Sequence, residues 1–181
     1  MQLLIMSDEN KEAKVSLARP EGAAGIFDAT AIHELESHVS PKHLYGIWDT
    51  KILGDGVELG GLKIISHDIK NLLKNHKKAV VLATTLGVQA DSYLLRLMQV
   101  DIAKSVLAAE ACEVLIEEYT NEIQKKLGGM GQRFSPGYGD FDIRYQKDIL
   151  KMLNSEKIGL YMTDGFMLVP TKSVTSLFGI N

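Results

Sequence analysis

Residues 95–127 read LRLMQVDIAKSVLAAEACEVLIEEYTNEIQKKL and form the longest periodic run in the chain. Apolar side chains recur there at steps of three and four, close to the 3.6-residue period of an α-helix. They are Leu95, Met98, Ile102, Val106, Ala109, Cys112, Ile116, Tyr119, Ile123 and Leu127. The pattern predicts one long helix, or two nearly collinear helices, that Gly128-Gly129 ends with C-cap chemistry. Cys112 lies on this stripe, so we expect it in the core.

Around this run, short helical patterns mix with short apolar segments. Helices are predicted at 28–39, at 67–76 with Ser66 as N-cap, and at 142–154. Strands are predicted at 57–64 as a Gly60-Gly61 hairpin, at 78–87, at 158–170 around an Asp164-Gly165 turn, and at 173–180, with 1–6 and 13–18 as further candidates. Because no regular strand-helix-strand alternation appears, the expected class is α+β. We expect one domain over 1–181, with a mixed or antiparallel sheet packed against the long helix and several shorter ones.

Composition excludes several function classes. The chain has 181 residues, 45% of them apolar, and a net charge of −3, so no basic surface for nucleic acid is expected. No apolar run approaches the roughly 20 residues of a membrane span. The single cysteine excludes a disulfide framework and fits a reducing cytoplasm. His33, His38 and His43 are five residues apart, which is a poor spacing for a helical metal site, and no metal is expected.

The segment after the long helix, RFSPGYGDFD at 133–142, is the candidate binding loop. Ser135-Pro136-Gly137-Tyr138 predicts a type II turn with a positive φ at Gly137. Arg133 is a permanent cation that can hold a carboxylate through two hydrogen bonds, and Tyr138 offers an aromatic face to a positive centre. These groups match an amino-acid sulfonium such as S-adenosylmethionine. From the residues alone, a helix cap and turn with Arg133 on the surface stays open as the alternative.

Two motifs in fixed order resemble the activation domain of vitamin-B12-dependent methionine synthase. The first is Arg-x-x-x-Gly-Tyr, present as Arg133, Gly137 and Tyr138. The second matches at Thr163, Met167, Pro170, Ser173, Val174 and Thr175. Upstream, ATTLG at 83–87 and the helix containing Glu117 are similar to the short, free-standing branch of that family. The resemblance covers 57–181, whereas 1–56 diverge.

The resemblance implies a set of ligand contacts. Arg133 would hold the carboxylate of S-adenosylmethionine, the backbone of Ser135 would touch the ligand, and Pro136-Gly137 would allow close approach. Tyr138 would lie near the sulfonium or the corrin face. Phe178 and Gly179 stand at a further ligand position, where long-chain members have Tyr-Phe. Residues implied as support or as a docking surface for a partner are Glu117, Pro170, Lys172, Ser173 and Val174.

The resemblance also implies a role in trans. A domain of this family presents S-adenosylmethionine as methyl donor for the reductive methylation of cob(II)alamin, with flavodoxin or another low-potential donor supplying the electron. The cobalamin-carrying motif is absent from this sequence, so the partner would be a corrinoid or methionine synthase protein that lacks its own activation domain. This chain would then be a component of the methyltransferase activity rather than a complete enzyme. The alternative is a non-catalytic regulatory or scaffolding partner that has lost S-adenosylmethionine binding.

Overall fold

A computed structural model describes residues 34–181 of the chain. The strands are β1 (Lys42–Asp49), β2 (Lys51–Ile52), β3 (Gly56–Leu59), β4 (Leu62–Ile65), β5 (Lys78–Thr85), β6 (Tyr161–Met162), β7 (Leu168–Val169) and β8 (Ser173–Ile180). The helices are α1 (His67–Leu73), α2 (Val88–Val100), α3 (Ile102–Lys126) and α4 (Tyr145–Leu153), followed by a 3-10 helix at Ser155–Ile158. The predicted strands at 1–6 and 13–18 lie outside the described residues. Of the predicted helix at 28–39, residues 34–36 are described and helical.

The principal sheet has the order β1-β5-β8, and both pairings are antiparallel. β5 is the central strand, and all its residues except Lys78 are buried, as its dense apolar sequence predicts. One face packs against α2 and α3, and the other packs against α1, α4 and the β2-β3-β4 sheet. The α+β class and the antiparallel sheet are therefore confirmed.

Several local predictions are confirmed by backbone geometry. Gly60 and Gly61 both have positive φ values between β3 and β4, as a tight hairpin requires. Ser66 is the N-cap of α1, and its hydroxyl accepts a hydrogen bond from the N–H of Ile69 at 3.0 Å. The strand-turn-strand at 158–170 appears as β6 and β7. No helix among residues 34–181 is long and apolar enough to cross a membrane.

The prediction of one long or collinear helix is wrong at its N-terminal third. The chain leaves the helical conformation at Asp101, whose carboxylate accepts the N–H of Lys104 at 2.9 Å and caps α3. The helices α2 and α3 pack against each other instead of lying end to end. Leu95 and Ile102, taken from spacing as core residues, are consequently 61% and 73% exposed.

The C-terminal part of the stripe is correct. Cys112, Ile116, Tyr119 and Ile123 are buried against the sheet. α3 then ends in a Schellman arrangement, in which Gly128 N–H bonds the carbonyl of Lys125 and Gly129 N–H bonds that of Gln124. Gly128 has a φ of 82°, which a glycine adopts without strain. The helix end thus delivers the chain to the candidate loop in a fixed direction.

Candidate functional site

The candidate loop is fixed at both of its ends. Phe134 forms an isolated antiparallel bridge with Leu177 of β8, through N···O distances of 2.9 and 2.8 Å. At the other end Phe141 is fully buried in the core beneath the sheet. The residues between these two anchors therefore occupy a defined position along the outer edge of β8.

The turn between the anchors has the geometry predicted from its sequence. Gly137 has a φ of 95°, and the N–H of Tyr138 bonds the carbonyl of Ser135 at 3.2 Å, as in a type II turn. Pro136 is buried, whereas the ring of Tyr138 is exposed. Gly137 N–H also bonds the carbonyl of Phe141 at 2.7 Å, which closes the loop on itself. The turn is rigid and presents Tyr138 outward.

Arg133 lies between this loop and helix α3. One Nη donates to Asn121 and, at 3.0 Å, to Gln124, while the other Nη donates to Glu117. Asn121 and Gln124 follow Glu117 by four and seven residues, so all three share one face of α3. Of the five N–H donors of a guanidinium, these three bonds leave two without a partner among residues 34–181. The remaining donors are the Nε–H and one Nη–H, on a side chain that is 17% exposed.

Glu110, Glu113 and Glu117 form a row of carboxylates along α3. Glu117 pairs with Arg133, and Glu113 is 70% exposed but accepts from Lys172 at 3.0 Å. Glu110 is exposed. The two pairs tie α3 to the segment before β8 and to the candidate loop. Glu117 also places negative charge beside the guanidinium of Arg133.

The edge of β8 adjoins the candidate loop, although Thr175 on this strand is only 2% exposed. β8 is an edge strand, and the N–H and C=O of Leu177 point outward to Phe134. Because backbone groups alternate sides along a strand, those of Thr175 point to the same edge. No backbone partner for them is found there within residues 34–181. We call Glu117, Arg133, Ser135, Tyr138 and this edge of β8 the candidate ligand surface.

Two further residues predicted to contact the ligand, Phe178 and Gly179, are closely packed. Phe178 is 1% exposed and packs in the cluster with α2 and α3, and its contact with a ligand stays a prediction. A Cβ at Gly129 would lie 2.6 Å from the Phe178 ring, which shows how closely the helix cap covers it. Gly179 lies where a Cβ would come within 2.3 Å of His76, so glycine is needed there for packing.

The predicted docking residues are mostly enclosed. Pro170 is buried, Ser173 donates to the carbonyl of Pro170 at 2.7 Å, and Val174 packs against the helices. Lys172 has a side chain only 14% exposed, because it is held by Glu113. Lys172 nevertheless lines a groove of about 520 Å³ between α2 and α3. The apolar residues of this groove, Leu95, Met98, Ile102 and Val106, are exposed. We call it the apolar groove.

The other titratable candidates have structural roles. Burial raises the pKa of the Cys112 thiol to about 11, in keeping with the core position predicted for it. His38 stacks on Tyr93 and bonds Arg96, while His43 bonds the hydroxyl of Tyr119. His33 lies outside the described residues. Among those described, no three His, Cys, Asp or Glu side chains are grouped as metal ligands would be.

Comparisons with known proteins support the fold. No protein-family model matches the chain, and no curated protein matches it. A solved structure described as the crystal structure of the MetH reactivation domain bound to AdoHcy is similar, with a TM-score of 0.65 and 13% identity. The match covers 83% of this chain and 64% of that one, so this chain spans less than two thirds of the solved one. The described part of the chain therefore has the fold of that reactivation domain.

Proposed function

We propose that this protein binds S-adenosylmethionine at the candidate ligand surface and serves as a reactivation factor for a cobalamin-dependent methyltransferase. The observation that carries the proposal is the half-free guanidinium of Arg133, held beside a rigid turn at the open edge of β8. It occurs on a fold that the MetH reactivation domain, solved with AdoHcy, also has.

The groups present fit the amino-acid end of S-adenosylmethionine. The two free donors of Arg133 would take the carboxylate in a charge-assisted pair. Glu117 is 54% exposed beside them and would accept the α-ammonium group. The Ser135 N–H has no partner among residues 34–181 and would donate to a polar edge of the ligand. Pro136-Gly137 would let the chain approach closely, and Tyr138 would lie against the sulfonium or the corrin.

S-adenosylmethionine would supply the methyl group, and the chain would supply position. Arg133 is held by three acceptors on one face of α3, so its orientation is set before a ligand arrives and little side-chain entropy is lost on binding. The turn is closed by backbone bonds, so the backbone of Tyr138 is likewise placed in advance. Preorganisation of this kind favours methyl transfer by holding donor and acceptor in one geometry.

We further propose that the acceptor cobalamin is carried by a separate corrinoid or methionine synthase protein, with flavodoxin or another low-potential donor as electron source, in the cytoplasm. The partner would have to cover the candidate ligand surface. Glu113 lies one helical turn before Glu117 and accepts from Lys172, which lines the apolar groove. A protein that covers the ligand would therefore also meet Met98 and Val106, whose exposed apolar side chains suit an interface.

Calorimetric titration with S-adenosylmethionine and S-adenosylhomocysteine tests the ligand assignment. Arg133→Ala should weaken binding about 10- to 150-fold, the equivalent of a charge-assisted hydrogen bond of roughly 1.5–3 kcal/mol. Arg144→Ala is the matched control, because Arg144 is 79% exposed and its one ion pair within residues 34–181 is with Asp142. Equal affinity in wild type and Arg133→Ala would refute the site. No binding by the wild type would favour the non-catalytic scaffolding function.

A further inference from the structure

We propose that Asp140 is a positioning residue, which sets the orientation of the ligand-binding turn by joining it to the start of helix α1. The identity of the ligand in this inference rests on the proposed function, whereas the hydrogen-bonded geometry of Asp140 does not depend on it. Asp140 lies outside the Arg-x-x-x-Gly-Tyr motif, two residues after Tyr138. Its side chain touches none of the residues of the candidate ligand surface.

The carboxylate of Asp140 accepts three hydrogen bonds from one short segment. The Ser66 hydroxyl donates to Oδ1, the His67 N–H donates to Oδ2 at 2.7 Å, and the Asp68 N–H donates to Oδ1 at 3.2 Å. A fourth hydrogen bond runs in the opposite direction, from the N–H of Asp140 to Oδ2 of Asp68 at 3.1 Å. Four bonds thus join two segments that are more than 70 residues apart in sequence.

We call these four hydrogen bonds the junction. The backbone at Gly139, the residue before Asp140, lies too close to the junction for a side chain to fit there. Gly139 has a φ of 55°, and a Cβ there would lie 2.1 Å from Oδ2 of Asp68. The Asp68 carboxylate therefore lies directly against the loop backbone. The approach shows that the loop is seated on α1 rather than passing above it.

The junction controls the turn because Asp140 lies inside the closed part of the loop. Gly137 N–H bonds the carbonyl of Phe141, and Phe141 N–H bonds the carbonyl of Tyr138 at 3.0 Å. Asp140 is covalently between these bonded residues, so a shift of Asp140 moves the turn with it. Phe134 fixes the other end of the loop on β8. Without the junction, the burial of Phe141 would still hold the C-terminal end of the loop, but no other hydrogen bond among residues 34–181 would fix Asp140 itself.

A purely helix-capping role does not account for the arrangement. α1 already has its cap, since the Ser66 hydroxyl accepts the N–H of Ile69 while donating to Asp140. The bond from Ser66, with those from His67 and Asp68, lowers the pKa of Asp140, so the carboxylate is charged at neutral pH. Removal of this charge should leave α1 capped and the loop unseated.

Asp140→Asn tests the inference, because it keeps the shape of the side chain and removes the charged acceptor. We expect the dissociation constant for S-adenosylmethionine to rise about tenfold, because a turn that is no longer fixed in advance must be ordered on binding. The control is Asp142→Asn, which makes the same change two residues away, where the carboxylate bonds Arg144 and no other side chain described in the structure. It should change affinity less than twofold. Ser66→Ala alone should also weaken S-adenosylmethionine binding. Combined with Asp140→Asn it should weaken binding little further, because both substitutions break the same junction.

Hydrogen exchange of the ligand-free protein separates this inference from the proposed function. In Asp140→Asn, the amides of Gly137, Tyr138 and Phe141 should exchange at least several-fold faster, while those of α1 beyond its first turn keep their rates. If wild type fails to bind S-adenosylmethionine, the proposed function falls and the exchange result alone decides the inference. Unchanged exchange in the loop, or faster exchange confined to α1, would overturn it. So would a normal affinity in Asp140→Asn when wild type binds.

Discussion

Gly137→Ala tests whether the type II turn is built on a conformation that only glycine adopts easily. The φ of 95° lies in the left-handed half of conformational space, where an L-residue costs roughly 1–2 kcal/mol. A Cβ would be crowded by Cδ1 of Ile143, at 3.2 Å, which is the movable end of that side chain, while the other Ile143 atoms lie at ordinary contact distances of 3.8 and 3.9 Å. The backbone term therefore decides the result, and we expect a loss of about 1–2 kcal/mol in the free energy of unfolding.

Urea unfolding measures this change, with an unaltered m-value showing that the unfolded state is the same. The matched control is Gly131→Ala in the same glycine-rich stretch, where φ is not in the left-handed region and a Cβ meets nothing within 4 Å. That variant should be neutral or more stable by up to about 1 kcal/mol. A Gly137→Ala protein within about 0.5 kcal/mol of Gly131→Ala would refute the turn argument.

Two further predictions test the placement of individual side chains. Cys112 has a pKa of about 11, so only roughly one thiol in a thousand is ionised at pH 8 in the folded protein. It should therefore resist a thiol reagent in the native state and react fully in denaturant. Labelling of the native protein at the rate of a free thiol would show that Cys112 is not in the core. Phe178→Ala should lower the free energy of unfolding by about 3–5 kcal/mol, as for a buried aromatic side chain. Unchanged stability in urea unfolding, together with weaker S-adenosylmethionine binding, would instead show that Phe178 acts as a ligand contact.

Local sequence signals predicted the elements that depend on local geometry. Ser66 as a cap, the Gly60-Gly61 hairpin and the turn at Gly137 were all found, because each depends on what one or two residue types allow. The central strand β5 was found because it is buried on both faces and therefore apolar throughout. The arrangement of its neighbours was not predictable in the same way, since sheet order depends on contacts between distant segments.

The errors also have physical causes. The helix was predicted to continue through Asp101 because only the spacing of apolar residues was used. An aspartate before a new helical run is a common N-cap, and here it begins a separate helix. β1 was missed, although Tyr45, Ile47 and Trp48 are residue types that favour strands. The ligand contact of Phe178 stays a prediction, and the alternation of side chains along β8 turns this residue toward α2 and α3.

The candidate ligand surface was predictable in part. Arg133 and the turn could be identified from the loop, but the partners of Arg133 could not be assigned from that loop alone. Glu117, Asn121 and Gln124 at helical spacing were the available signal, and it becomes informative only once α3 is known to lie beside the loop. The hydrogen bonds of Asp140 with Ser66 and Asp68 could not be predicted from local sequence, because the two segments are far apart in the chain.

The central claim is that this chain supplies S-adenosylmethionine for the reactivation of a cobalamin protein. The most direct test follows the absorbance change from cob(II)alamin to methylcobalamin on a methionine synthase that lacks its own reactivation domain, with a low-potential electron donor and S-adenosylmethionine present. We predict that methylcobalamin forms when this chain is added, forms far more slowly with Arg133→Ala, and does not form without the electron donor. Formation at the same rate with and without this chain would contradict the claim.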